Sequence, residues 1–185
     1  MTSIPITWIK PPPLRVKLNS DGSCFNGQSG GGGIIRDQKG DFIFAYSIPL
    51  GNGTSNTAEA EALLYGLQWC ASKGIEMAIG ETDSCRLSKT VKREWKPLWK
   101  ISNQVQEIQK MIEDHKFSIV HCFREANKPA DALASLSHKI EEIKVFTLFS
   151  NLLSNIRGLI NMDKWSLPSF KQIKIKPSHF VYDPP

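Results

Sequence analysis

From Arg15 to Asp21 polar and apolar residues alternate, which sets Val16 and Leu18 on one face of a strand and Lys17, Asn19 and Asp21 on the other. A half-buried strand is the expectation. Ahead of it, Pro11-Pro12-Pro13 suits neither a helix nor a sheet interior, so residues 1–13 read as an extended proline-rich leader ending where Leu14 begins the strand. Apolar runs at Gly33 to Arg36 and Phe42 to Ile48 flank Asp37-Gln38-Lys39-Gly40, a turn-forming stretch that predicts a hairpin. The three strands are expected to be antiparallel.

Thr54-Ser55-Asn56 offers capping side chains before Ala60, Leu63, Leu64, Leu67 and Ala71, which recur at helical spacing until Gly74 stops the helix. Ile75 to Thr82 reads as a fourth strand. Ser84 to Asp114 reads as two helices joined near Pro97, the second striped by Ile101, Val105, Ile108 and Ile112. Phe117 to Phe123 makes a fifth strand, and Asn127 with Pro129 opens a helix expected to carry Leu133, Leu136 and Ile140 inward. This order predicts one α/β domain over residues 14–144, built on a five-stranded mixed sheet. Beyond Lys144 the pattern weakens. Phe146 to Ile160 is apolar but irregular and Ser166 to Pro185 holds four prolines among basic residues, so residues 145–185 read as a C-terminal appendage.

At 185 residues and 41% hydrophobic, the chain has enough apolar content for one real core. No apolar run approaches the ~20 residues that span a bilayer, and Met1 to Pro13 has no signal-peptide stretch, so no membrane contact and an intracellular location, nuclear or cytosolic, are expected. Cys24, Cys70, Cys85 and Cys122 are scattered with no C-x-x-C pair, which argues against a zinc site and a disulfide framework. A net charge of +5 suits a polyanionic ligand without requiring one.

In this basic chain four acids fall at the ends of predicted elements. Asp21 closes the first strand before Gly22, Glu59 lies in the first turn of the first long helix, Asp83 ends the fourth strand, and Asp131 opens the last helix. Element ends are where scaffolds display chemistry, and hard oxygen ligands suit Mg²⁺ or Mn²⁺ better than zinc. Singly, Asp21-Gly22 is an ordinary turn signal, and an acid in a first helical turn is an ordinary partner of the helix dipole. At ~100° per residue Glu59 lies at the edge of the Leu63/Leu67/Cys70 face, whereas Glu61 points away and reads as solvated.

The words around these acids are KLNSDGS (Lys17 to Ser23), GGGGIIRD (Gly30 to Asp37), TSNTAEAEAL (Thr54 to Leu63), ETDS (Glu81 to Ser84) and REANKPADALA (Arg124 to Ala134). Together, over Trp8 to Lys139, they resemble type 1 ribonuclease H, and more closely its plant branch related to the ribonuclease H domains of retroelement reverse transcriptases. Ile156-Arg157-Gly158 through Asp163 to Pro168 also resembles a tail often attached in that branch.

The resemblance implies a ribonuclease H-like fold, a five-stranded mixed sheet with its first three strands antiparallel and helices on both faces. It implies an endonuclease cutting the RNA strand of RNA/DNA hybrids to 5′-phosphate and 3′-hydroxyl ends. Asp21, Glu59, Asp83 and Asp131 would be both catalytic and metal-binding, holding two Mg²⁺ or Mn²⁺ ions. Contacts to the nucleic acid would come from Gly22, Ser23, Cys24 and Asn56, which sense the 2′-hydroxyl, from Thr54 near a DNA phosphate, and from Arg124. Many relatives place a mobile histidine before the last aspartate. Here His121 could serve there or be an ordinary strand histidine, and Arg124 is the other charged candidate. Lys89, Lys92, Arg93, Lys96 and Lys100, with Trp95 and Trp99, occupy the region of a hybrid-gripping protrusion and equally fit a solvated amphipathic helix. A monomer with no small-molecule cofactor is expected. The competing expectation is a domesticated retroelement fragment that binds nucleic acid or protein and cuts little.

Overall fold

The computed structural model describes residues 2–173. Among the described residues, eight strands form a six-stranded mixed sheet and a separate two-stranded ribbon, accompanied by five α-helices. Strands β2 (Lys17–Phe25), β3 (Gln28–Arg36) and β4 (Phe42–Asn52) run antiparallel in sequence. β5 (Ile79–Thr82) lies parallel to β2, and β6 (Ser118–His121) parallel to β5. The sixth strand is β7 (Lys144–Phe146), antiparallel to β4, so the order across the sheet is β6-β5-β2-β3-β4-β7.

The expected antiparallel start is therefore present, but the sheet has six strands rather than five. A three-residue edge strand shows too little alternation to be read locally. Leu14 does not begin a strand either. It is 93% exposed with a φ of 63°, and β2 starts at Lys17. Nor does Asp21 close that strand, because Gly22 pairs with Gly31 and the ladder continues to Phe25. The turn comes at Asn26-Gly27, both at positive φ, where an Asn-Gly pair suits a tight hairpin. Asp37 to Gly40 forms the expected second hairpin, with Gly40 N–H donating to the Asp37 carbonyl.

Helices cover both faces. On one, α1 (Ser55–Ser72), α2 (Cys85–Val91) and α3 (Ser102–His115) bury Leu63, Leu67, Leu87, Val105 and Ile108 against Leu18, Ile35, Phe44 and Tyr46. On the other, α4 (Lys128–Leu136) and α5 (Ser154–Lys164) pack Leu133, Ile156 and Ile160 against Ile34, Ala45 and Phe146. Leu136 packs on this second core, but α4 ends there, and Ile140 is outside the helix with an extended backbone. Phe146, Leu152, Ile156 and Ile160, all in the stretch read as an appendage, are core residues.

The glycine run sits between the two helical layers. A Cβ on Gly32 would stand 2.3 Å from the Ala134 backbone nitrogen, so side-chain-free backbone lets α4 lie directly on β3. The leader is also tied down. β1 (Thr2–Ile6) pairs antiparallel with β8 (Ser169–Ile173), and Trp8 is buried. Of the appendage prolines, Pro177, Pro184 and Pro185 lie outside the described residues.

Candidate metal centre

The polar face of β2 is buried instead of solvated: Lys17, Asn19 and Asp21 are each at most 6% exposed. Asp21 stands where β5 stops, since the last β2–β5 pair is Ser20 with Thr82. Asp83 follows directly on that strand end. Glu59 comes from the other side of the sheet, one turn into α1, a helix started by Thr54, whose hydroxyl and that of Thr57 cap each other's backbone N–H. Gly22 permits the approach. A Cβ there would lie 2.2 Å from the Glu59 nitrogen, so any side chain would push α1 outward.

Carboxylate oxygens of Asp21, Glu59 and Asp83 thereby come within 4.8 Å of one another. Asp131, in the first turn of α4, is not part of that trio, but its charge acts on Asp21. Burial, then repulsion from Glu59, Asp83 and Asp131, pushes the Asp21 carboxyl up to about 9. Burial, then the Asp83 charge, pushes Glu59 up to about 8. Asp83 is raised by burial too, and Arg124 opposes that rise. Among the described residues nothing hydrogen-bonds the buried Asp83 Oδ1. Desolvated, mutually repelling hard oxygen donors fit Mg²⁺ or Mn²⁺, whose charge would offset both penalties.

The expected nucleic-acid contacts line the rim. The Cys24 thiol donates to the Gly53 carbonyl at 3.4 Å, joining the end of β2 to the start of α1, where Thr54 is exposed and Asn56 half-buried. Ser23 Oγ lies 3.0 Å from Nε2 of exposed His138. Opposite, Arg124 donates to Asp131 Oδ1 at 3.2 Å. His121 sits at the end of β6 with Nε2 3.2 Å from the Asp83 carbonyl oxygen. Glu61, expected to be solvated, accepts from Gln104 at 2.7 Å.

The model of the family described as "Reverse transcriptase-like" matches residues 19–137, which takes in all four carboxylates. The chain belongs to the reverse transcriptase-like family. This family member is 29% identical over 138 residues to an Arabidopsis thaliana protein named, provisionally, as a ribonuclease H protein. The match takes in 73% of this chain and 22% of that relative, so the chain spans about a fifth of its length. Among solved structures, ribonuclease H1 of Halobacterium salinarum superposes with a TM-score of 0.64 at 23% identity, over 68% of this chain and 98% of that one. LC11 ribonuclease H1, solved in complex with an RNA/DNA hybrid, gives 0.60 at 23% identity, over 65% and 94%. The fold of this reverse transcriptase-like chain is that of ribonuclease H.

Sequence reading missed what lies beneath the carboxylates. Asn19 Nδ2 donates to Glu81 Oε2 at 2.8 Å and to Asn127 Oδ1 at 3.2 Å, while Lys17 pairs with Glu81 Oε1 at 2.7 Å. Arg36, wholly buried, donates to Asn19 Oδ1 and to Asp163 Oδ2, each at 2.7 Å. The available signal was a β2 face made entirely of polar residues beside Glu81, two positions before Asp83.

Proposed function

We propose that this chain is a nuclease that hydrolyses the RNA strand of RNA/DNA hybrids, leaving 5′-phosphate and 3′-hydroxyl ends. The observation that carries this is the convergence of Asp21, Glu59 and Asp83 within 4.8 Å. The ribonuclease H fold and the hybrid bound to one structural relative support it. Asp21, Glu59, Asp83 and Asp131 would hold two divalent ions, which supply Lewis-acid activation of water and charge stabilisation at the leaving 3′ oxygen.

The chain's own residues would do the rest. Glu59, Asp83 and Asp131 are only partly buried, which leaves the centre open to a phosphodiester. Ser23 and the backbone of Gly22 and Cys24, with Asn56, offer hydrogen-bonding groups to the 2′-hydroxyl that distinguishes RNA. Thr54 would lie near a phosphate of the DNA strand, and the exposed Arg124 guanidinium is available to a phosphate beside Asp131.

The test is cleavage of a labelled hybrid with Mg²⁺ or Mn²⁺, against single-stranded RNA, duplex RNA and duplex DNA. Hybrid alone should be cut, and Asp83→Asn should lower the rate by roughly a thousandfold, about 4 kcal/mol at the transition state. A folded chain that binds hybrid but cuts it with neither metal would favour the domesticated binding module instead.

A further inference from the structure

Three of the four carboxylates rest on a residue one step further into the fold. Asn19 precedes Asp21 by two positions on the same strand face, Glu81 in β5 precedes Asp83, just past the end of that strand, by two positions, and Asn127 precedes Asp131 by one helical turn. These three supports are bonded to each other through the Asn19 amide nitrogen. Asn127 also donates to the Ser20 carbonyl at 2.9 Å, and its own carbonyl accepts the Asp131 N–H at 3.1 Å. Relative placement of β2, β5 and α4 beneath the centre therefore depends on which way the Asn19 amide faces.

Asn19 Oδ1 receives two groups that can only donate, the Trp8 indole N–H at 2.9 Å and the Arg36 guanidinium at 2.7 Å. Its NH₂ is thereby aimed at Glu81 and Asn127. The Arg36 guanidinium, stacked 3.6 Å above the Trp8 ring, is wholly buried and cannot shed its charge. Its direct carboxylate partner is Asp163, from α5. With that partner neutralised, a buried cation is left under-compensated and must shift toward Glu81 or solvent, releasing Asn19.

We propose that Asp163 is a positioning residue for the carboxylate centre, acting through Arg36 and Asn19 on Asn127. This rests on the metal-dependent nuclease reading above and deepens it: helix α5 is a working part of the site. Partners one step behind metal ligands set the orientation of those ligands, and their loss weakens metal affinity.

The experiment uses the full chain and three variants. Asp163→Asn keeps the side-chain volume and removes the charge, Asp163→Glu restores the charge, and Asp41→Asn breaks the other ion pair of α5, that of Lys164 with Asp41, away from the site. Two readouts are taken against Mg²⁺ concentration, the rise in Tm without substrate and the rate of hybrid cutting. For Asp163→Asn both midpoints should move to about tenfold higher Mg²⁺ with KM for hybrid unchanged. Asp163→Glu should recover most of that loss, and Asp41→Asn should lower Tm without moving either midpoint. Equal midpoints in the parent and Asp163→Asn, or an equal shift in Asp41→Asn, would overturn the assignment alone. A parent chain with neither a Mg²⁺-dependent Tm nor cutting would overturn the nuclease reading and this one with it.

Discussion

Asp21 is 6% exposed and faces the charges of Glu59, Asp83 and Asp131, so its ionised form is disfavoured by both burial and repulsion. With its pKa near 9 in the fold against an ordinary 3.8, the metal-free folded state holds a proton that the unfolded chain has released anywhere between those values. Stability from this group is thus intact below about pH 4, falls as pH rises, and is fully lost above about pH 9. Asp21→Asn should flatten that decline and, near neutral pH without metal, raise stability by on the order of 1–3 kcal/mol, a few degrees in Tm. The same substitution should abolish the Tm rise on adding Mg²⁺. Thermal unfolding at several pH values, in EDTA and in Mg²⁺, reads both effects. An unchanged pH slope would mean that Asp21 already titrates as an ordinary carboxylate.

At the scale of elements, the site depends on how closely α1 and α4 approach the sheet. Gly22 marks the tightest approach of helix backbone, with the Glu59 nitrogen 2.2 Å from where a Cβ would stand. Gly22→Ala must move a helix backbone and not a side-chain tip, so it should cost about 1–3 kcal/mol. It should also lose most cutting, because Glu59 retreats with the helix. Recovery of parental activity and Tm would show that α1 shifts freely. This contact was not legible in the sequence, where Asp21-Gly22 reads as a strand end, because a glycine's reason in a strand lies in the element packed over it. The elements themselves were more legible. α1 followed from a capping threonine and a regular apolar stripe, and the Asp37 to Gly40 hairpin from local turn chemistry. The four carboxylates stood out by their places at the ends of predicted elements, and the words surrounding them supplied a metal-binding role, since an acid in a first helical turn has an ordinary structural role as well. Asn19, Glu81 and Arg36 were invisible as a network because their partners are far off in sequence and polar residues on a strand are expected to meet water.

For the whole molecule the main consequence is that the first and last described segments pack into the fold instead of trailing from it. Thr2 pairs with Ile173 and Trp8 with Asn19, while β7 and α5 close the second core over Ile34 and Ala45. No periodicity announces such pairing, because the segments are short and strands β1 and β7 find their partner strands, β8 and β4, about a hundred or more positions away. The second core makes the claim measurable without touching the carboxylates. Ile156 is fully buried in α5 among Ile34, Leu133 and Phe146. Ile156→Ala should leave a cavity costing about 2–5 kcal/mol. For a chain of this size that lowers Tm by roughly 5–20 °C. Because α5 also carries Asp163, heating should impair cutting and metal-dependent stabilisation together, at the temperature where the whole chain unfolds. If instead the variant kept its main unfolding transition and lost only a small early one, α5 would be a separable unit docked on a domain that is complete without it.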